Sequence, residues 1–208
     1  MTARPYHRHA WSTRPAVVIA SGPSLSDEQL AHVERAHAEG RCHVIVVNNT
    51  AERAPWADIV YMGDFVCLRH YLPILKPKTA GEWVTQCKAG AERWKLTHVK
   101  PCSNKGITLE RIHMNGNSGA QAFNLAAAFG ATRILLLGFD MKKGKDGRDH
   151  WFGQHPKPMV QTQLYPDWLE KFIYIAKDAK ALGLDVVNCT PDSALQLFTM
   201  VPITEALA

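Results

Sequence analysis

The sequence predicts an α/β protein with a Rossmann-like, doubly wound, mostly parallel sheet and helices on both faces. Three observations carry that expectation. Short apolar runs such as residues 16–20 (AVVIA) and 133–138 (RILLLG) lack polar alternation, as strands buried on both faces do. Such runs are interleaved with helical stripes. Three of them also end abruptly in polar turns: Ser21-Gly-Pro-Ser24, Asn48-Asn49 and Gly138-Phe-Asp140.

The elements follow in order. After the first strand, residues 26–39 place Leu30, Val33 and Ala36 on one stripe, and Ser26 with Gln29 forms a capping box at the start of this helix. Residues 42–47 make a second strand closed by Asn48-Asn49-Thr50, and 58–62 a shorter third. Residues 65–75 read as a helix before Pro77 and 83–87 as a strand, whereas 89–115 mix glycine, proline and charge without a period. Residues 119–129 are small and apolar almost all round, which suits a helix packed closely on a sheet, with Gly130 closing it. Strand 133–138 leads into a loop rich in Lys, Gly and Asp that runs to about residue 163. A helix over 165–182 stops at Gly183, a strand follows at 184–188, and 192–200 reads as a last short helix.

A length of 208 residues suits one domain, read as a basic arm over 1–15 followed by a nucleotide-binding domain over 16–208. With 46% hydrophobic and 21% charged residues, the chain can bury a sizeable core. No apolar run approaches the ~18–20 residues of a membrane span. The N-terminal segment lacks a signal peptide's apolar region, so a cytoplasmic location is expected. Five scattered cysteines without a CxxC pair point to reduced thiols. A net charge of +5 favours anionic partners, a nucleotide phosphate or a nucleic acid.

In an open parallel sheet, ligands sit beyond the carboxyl ends of the strands. The three polar strand ends are therefore the candidate nucleotide site. Gly22 allows close backbone approach, Pro23 shapes the turn, and Ser21 and Ser24 offer hydroxyls ahead of a helix start that can receive phosphate. Asn48 and Asn49 suit a base or ribose, although such pairs also form ordinary turns. Asn117, Ser118 and Gly119 make a second anion-accepting helix start, or a plain cap. Asp140 is a candidate for holding ribose, positioning a catalytic group or binding metal. Lys142, Lys143 and Lys145 form either a solvated loop or a lid over phosphates, with His150 beside them. His155, in the segment His150-Trp-Phe-Gly-Gln-His155, is the candidate general base, since neutral imidazole can take a proton from a hydroxyl. The spacing of these histidines does not suit a zinc helix, and no metal site is expected in the favoured reading.

The ordered segments VVIASGPSL, VNN, NSGAQAFNLAAAFGATRILLLGFDM, HWFGQHP and VVNCTPDSALQLF resemble the bacterial lipooligosaccharide sialyltransferases of glycosyltransferase family 42. They are also similar to related uncharacterised phage proteins and to archaeal hydroxymethylpterin pyrophosphokinases. The likeness spans about residues 16–200. It implies a Rossmann-like domain that binds a cytidine nucleotide sugar without a catalytic metal. By correspondence it places Ser21, Gly22, Asn48 or Asn49, and Ser118 at the nucleotide, with His155 as base. The family's arginine before the Ser-Gly pair would fall near Asn115 and is absent. Its phosphate-holding tyrosines are replaced by Met141 and the lysine loop, which argues for a donor other than a sialic acid nucleotide.

Three functions remain open at this point. The favoured one is a nucleotide-sugar-dependent glycosyltransferase needing no cofactor, its acceptor undefined but a polyanion such as nucleic acid being one that a basic surface would suit. The second is an ATP-using, Mg²⁺-dependent phosphoryl or pyrophosphoryl transferase with Asp140 or Asp149 as metal ligand. The third is a non-catalytic nucleotide-binding protein of phage type.

Overall fold

The computed structural model describes residues 10–103, 105–113, 116–157, 159 and 164–208. Its first half contains β1 (Ala16–Ile19), α1 (Asp27–Ala38), β2 (His43–Val47), β3 (Ile59–Tyr61), α2 (Phe65–Leu75), β4 (Glu82–Thr85), α3 (Lys88–Trp94) and β5 (Thr97–His98). The second half adds β6 (Pro101–Cys102), β7 (Ile112–His113), α4 (Ser118–Ala128), β8 (Arg133–Leu137), α5 (Tyr165–Ala181), β9 (Asp185–Asn188), β10 (Thr199–Met200) and α6 (Ile203–Ala206). Eight strands form one sheet in the order β10-β9-β8-β1-β2-β3-β4-β5, while β6 and β7 pair separately. Every pairing in the large sheet is parallel. The fold is Rossmann-like α/β, as expected. The chain winds outward from β1 to β5, then returns to β8 and winds the other way, so the reversal falls between β1 and β8.

Two cores explain the continuous apolar strands. Along β1, Ala16 and Val18 enter one core and Val17 and Ile19 the other, all four fully buried. Phe123 of α4 and Phe172 of α5 cover the first face; Leu30 and Val33 of α1, Leu68 and Leu72 of α2, and Ile203 of α6 cover the second. Each such side chain contributes about 1.5–3 kcal/mol by leaving water. The capping box forms as read: Gln29 N–H donates to the Ser26 hydroxyl oxygen and Ser26 N–H to the Gln29 side chain. Trp11 is buried against Phe129 and stacks on His43, so residues 10–15 lie on the domain, while residues 1–9 fall outside the described set.

The last helix read over 192–200 is corrected. Those residues form loop and the edge strand β10, and the helix is α6 instead. Local side-chain bonds win over helix here. Asp192 has φ +52°, the Ser193 hydroxyl donates to the Phe139 carbonyl at 2.5 Å, and Asn188 Nδ2 donates to the Leu195 carbonyl at 2.9 Å. The segment is thereby laid across the ends of β8 and β9.

The aperiodic stretch 89–115 is likewise organised by a side chain. Asn124 of α4, only 2% exposed, accepts from His113 N–H at 3.1 Å and Thr108 N–H at 3.5 Å, and donates to the Thr108 carbonyl at 2.5 Å. Asn124→Ala should strand these buried groups and cost about 2–3 kcal/mol in urea unfolding. A loss under 0.5 kcal/mol, a bound set by the ordinary range for surface changes, would show that the segment is held by something else.

Candidate functional site

The site starts from a close contact between the loops after β1 and β8. Gly22 N–H donates to the Gly138 carbonyl at 2.9 Å. A Cβ on Gly22 would stand 1.8 Å from Asp140 Oδ2, so only glycine lets these loops meet. Asp140 accepts the Ser24 N–H on Oδ1 and the Ser24 hydroxyl on Oδ2, each at 3.0 Å. Burial raises the Asp140 carboxyl above its usual range, with the two Ser24 bonds pulling it back down.

Above this contact opens a cleft of about 860 Å³, its solvent-filled mouth included. Ser21, Gly22, Pro23 and Asn48 form one wall, and Asp140 with Lys142 another. The start of α4 supplies the floor with Asn117, Ser118 and Gly119. Asn117 caps that helix by accepting the Ala120 N–H at 2.9 Å, which leaves the first two N–H groups, of Ser118 and Gly119, without a partner among the described residues. Asn48 sits at φ +55° with its Oδ1 buried and unpartnered. Ser24 and Asn49 do not line the cleft: Ser24 holds Asp140, and Asn49 is buried behind, also with an unpartnered Oδ1. Asn115 lies outside the described residues.

The segment 142–155 borders the mouth and is pinned by Trp151. Its N–H donates to the Ser21 carbonyl at 3.1 Å, its indole N–H to Thr50 Oγ1 at 3.3 Å, and the Arg53 guanidinium lies 4.9 Å from the ring centre. Lys142 pairs with Asp192 at 2.8 Å, and Lys143 reaches Asp149 at 4.0 Å. Neither Lys143 nor Lys145 lines the cleft. His150 and His155 both do. His150 Nδ1 is 3.2 Å from Ser21 Oγ, and His155 Nδ1 is 3.1 Å from the Tyr71 hydroxyl. Phe152 stacks on His150 at 4.9 Å, and His155 meets both rings edge-on. Burial, followed by the nearby charges of His150 and His70, pushes the His155 imidazole down to about 4. Burial also lowers His150. Both rings are therefore neutral at pH 7.

Sequence reasoning missed Asp64, Cys67 and Tyr71, which bring the start of α2 to the site, and Tyr165, whose hydroxyl donates to Asp149 Oδ1 at 2.9 Å. Asp64 could have been found: Met62-Gly63-Asp64 ends β3 as abruptly as the three recognised strand ends. Partial desolvation raises its carboxyl, although the residue as a whole is exposed. The Mg²⁺ ligands expected for the kinase alternative fit poorly, since Asp140 is committed to Ser24 and Asp149 to Tyr165 and Lys143. Among the described residues no three His, Cys, Asp or Glu side chains converge as a metal site, and no helix is long and apolar enough to cross a membrane.

No family model matches the chain, and no curated protein matches it in sequence. Among solved structures it is similar to the MAf glycosyltransferase from Magnetospirillum magneticum AMB-1, with a TM-score of 0.64 at 12% identity. The likeness covers 95% of this chain and 35% of that one, so this chain spans about a third of that enzyme's length. At such identity the likeness establishes a common fold.

Two outcomes follow from the geometry. Asn48→Gly relieves the left-handed strain and removes a buried unpaired oxygen, so stability should hold or rise by about 1 kcal/mol while ligand affinity falls about tenfold. A stability loss above that size in chemical denaturation would make Asn48 a structural residue. The pH dependence of folding should also carry the His155 signature. The unfolded ring binds a proton near pH 6.5 and the folded ring only near 4, so stability is full above that window and falls as pH drops through it. After screening at the open mouth, the loss is about 1–2 kcal/mol. His155→Ala should flatten this acid-side decline in Tm; an unchanged slope would contradict the burial argument.

Proposed function

We propose that this chain is a glycosyltransferase that uses a nucleotide-sugar donor. One observation supports the reading above others: a single cleft at the β1/β8 reversal gathers the unpaired N–H groups of α4, the Asn48 side chain and two neutral histidines. The first of these suit phosphate, the second a base or ribose, and the histidines a reacting oxygen. The common fold with a glycosyltransferase agrees with that class. In this reading the nucleotide lies along Gly22, Asn48 and Ser118, and the Lys142 side of the lid faces the phosphates. The acceptor is a hydroxyl compound brought to the mouth between α2 and residues 150–155. His155 admits two roles there. Its Nε2 accepts a proton if Nδ1 carries hydrogen, and donates one if Nδ1 receives the Tyr71 proton.

A thermal-shift screen without Mg²⁺ checks the reading. UDP, GDP, CMP and their sugar conjugates at about 100 times Kd should stabilise the fold by about 2.7 kcal/mol, and at least one conjugate should be consumed. Stabilisation only by ATP with Mg²⁺ would favour phosphoryl transfer instead. Stabilisation by nucleotides without consumption of any conjugate would favour the non-catalytic reading.

A further inference from the structure

The geometry points to a division of labour that rests on the glycosyl-transfer reading: Asp64 takes the acceptor's proton, while His150 and His155 are held as Nε2–H donors to the departing oxygen. The tautomers follow from what each Nδ1 faces. The Tyr71 hydroxyl has His155 Nδ1 as its one hydrogen-bond partner among the described residues. A phenol is a stronger donor and a weaker acceptor than neutral imidazole, so the proton between them belongs to the phenol. Burial raises Tyr71 further from ionisation. The ring proton of His155 is therefore on Nε2, and that nitrogen has no lone pair with which to act as a base. Ser21 Oγ has His150 Nδ1 as its one side-chain partner at 3.2 Å. With the hydroxyl donating toward Nδ1, the ring hydrogen of His150 falls on Nε2, an atom that is buried and unpartnered. Two neutral N–H groups on rings packed edge-to-face are suited to an oxygen that gains negative charge.

A proton acceptor is then required elsewhere in the cleft. Asp64 occupies the N-cap position of α2, where a carboxylate ordinarily accepts a backbone N–H, yet it makes no capping bond. It has no hydrogen-bond or ion-pair partner among the described residues, and it lines the same cleft as both histidines. Of the three carboxylates that line this cleft, Asp140 is occupied by Ser24 and Asp149 by Tyr165, whereas Asp64 is not occupied. The step balances. The acceptor oxygen forms a bond to the anomeric carbon as its proton passes to Asp64, and the bond from that carbon to the phosphate oxygen breaks. The electron pair stays on the phosphate oxygen, which takes hydrogen bonds from the two Nε2–H groups.

Long-range ¹H–¹⁵N spectra of the labelled protein at pH 7 test the tautomers without any substrate. Both rings should be Nε2–H; an Nδ1–H tautomer at His155 would overturn the assignment. Turnover of whichever nucleotide sugar the wild type consumes tests the roles. Asp64→Asn should lower kcat about 100-fold or more with KM within about threefold, and should keep its Tm because no cap is lost. Asp64→Ser, which restores a capping side chain, should be equally slow. His155→Gln keeps a donor near Nε2 and should stay within about tenfold of wild type, whereas His155→Ala should lose about 100-fold. An active Asp64→Asn, or a His155→Gln as slow as His155→Ala, would sink the proposal. A wild type that consumes none of the UDP, GDP or CMP sugars while showing both expected tautomers would overturn the transfer reading instead, and with it the role of Asp64.

Discussion

The site depends on the missing Cβ at Gly22. Because no side chain stands there, the loop after β1 lies against Asp140, and Asp140 can take both the N–H and the hydroxyl of Ser24. That clasp fixes the two strands between which the sheet reverses direction. It also sets Ser21, whose carbonyl receives Trp151 N–H and whose hydroxyl meets His150. Through Trp151 and His150 the position of residues 150–155 is inherited from the β1 turn. A change at Gly22 therefore acts on residues 150–155 as well as on the cleft wall.

Desolvation sets the chemistry of the cleft. It raises the carboxyls of Asp64 and Asp140 and lowers both histidines, so each group is pushed toward its neutral form. Ion pairs stand along one side of the cleft, where Lys142 meets Asp192 and Lys143 meets Asp149. The Lys142–Asp192 pair is exposed on both sides and therefore weak.

What was legible in the sequence shares one physical property: it was set by local pattern. β1, β2 and β8 are buried on both faces and read as unbroken apolar runs, and Ser26 with Gln29 signals its helix start by spacing alone. Ser21, Gly22, Pro23, Asn48, Asn117, Ser118, Gly119, Asp140, Lys142, His150 and His155 were all identified in advance and reach one cleft, since strand ends converge whenever the strands are parallel. The segments that were not legible are organised by distant partners. Asn124 orders 107–113 from another element, and Ser193 and Asn188 divert 192–200 from helix. Tyr71 was hidden because α2 reads as a core helix; nothing along the chain shows that its hydroxyl meets a histidine 84 positions away.

Part of the cost the fold tolerates falls at the same place. Asn48 and Met141 hold left-handed backbone at the ends of β2 and β8, and both line the cleft. Of the buried side-chain atoms without partners among the described residues, Asn48 Oδ1, Asn49 Oδ1 and His150 Nε2 belong to the strand-end loops, while His32, Gln86 and His113 lie away from the cleft. Each strained or unpaired group costs about 1–3 kcal/mol against a net stability of about 5–15 kcal/mol. Two cores built on a sheet buried on both faces offset that cost. The cleft-lining members of this set are Asn48 Oδ1 and His150 Nε2, so a ligand seated in the cleft is placed to relieve part of that cost.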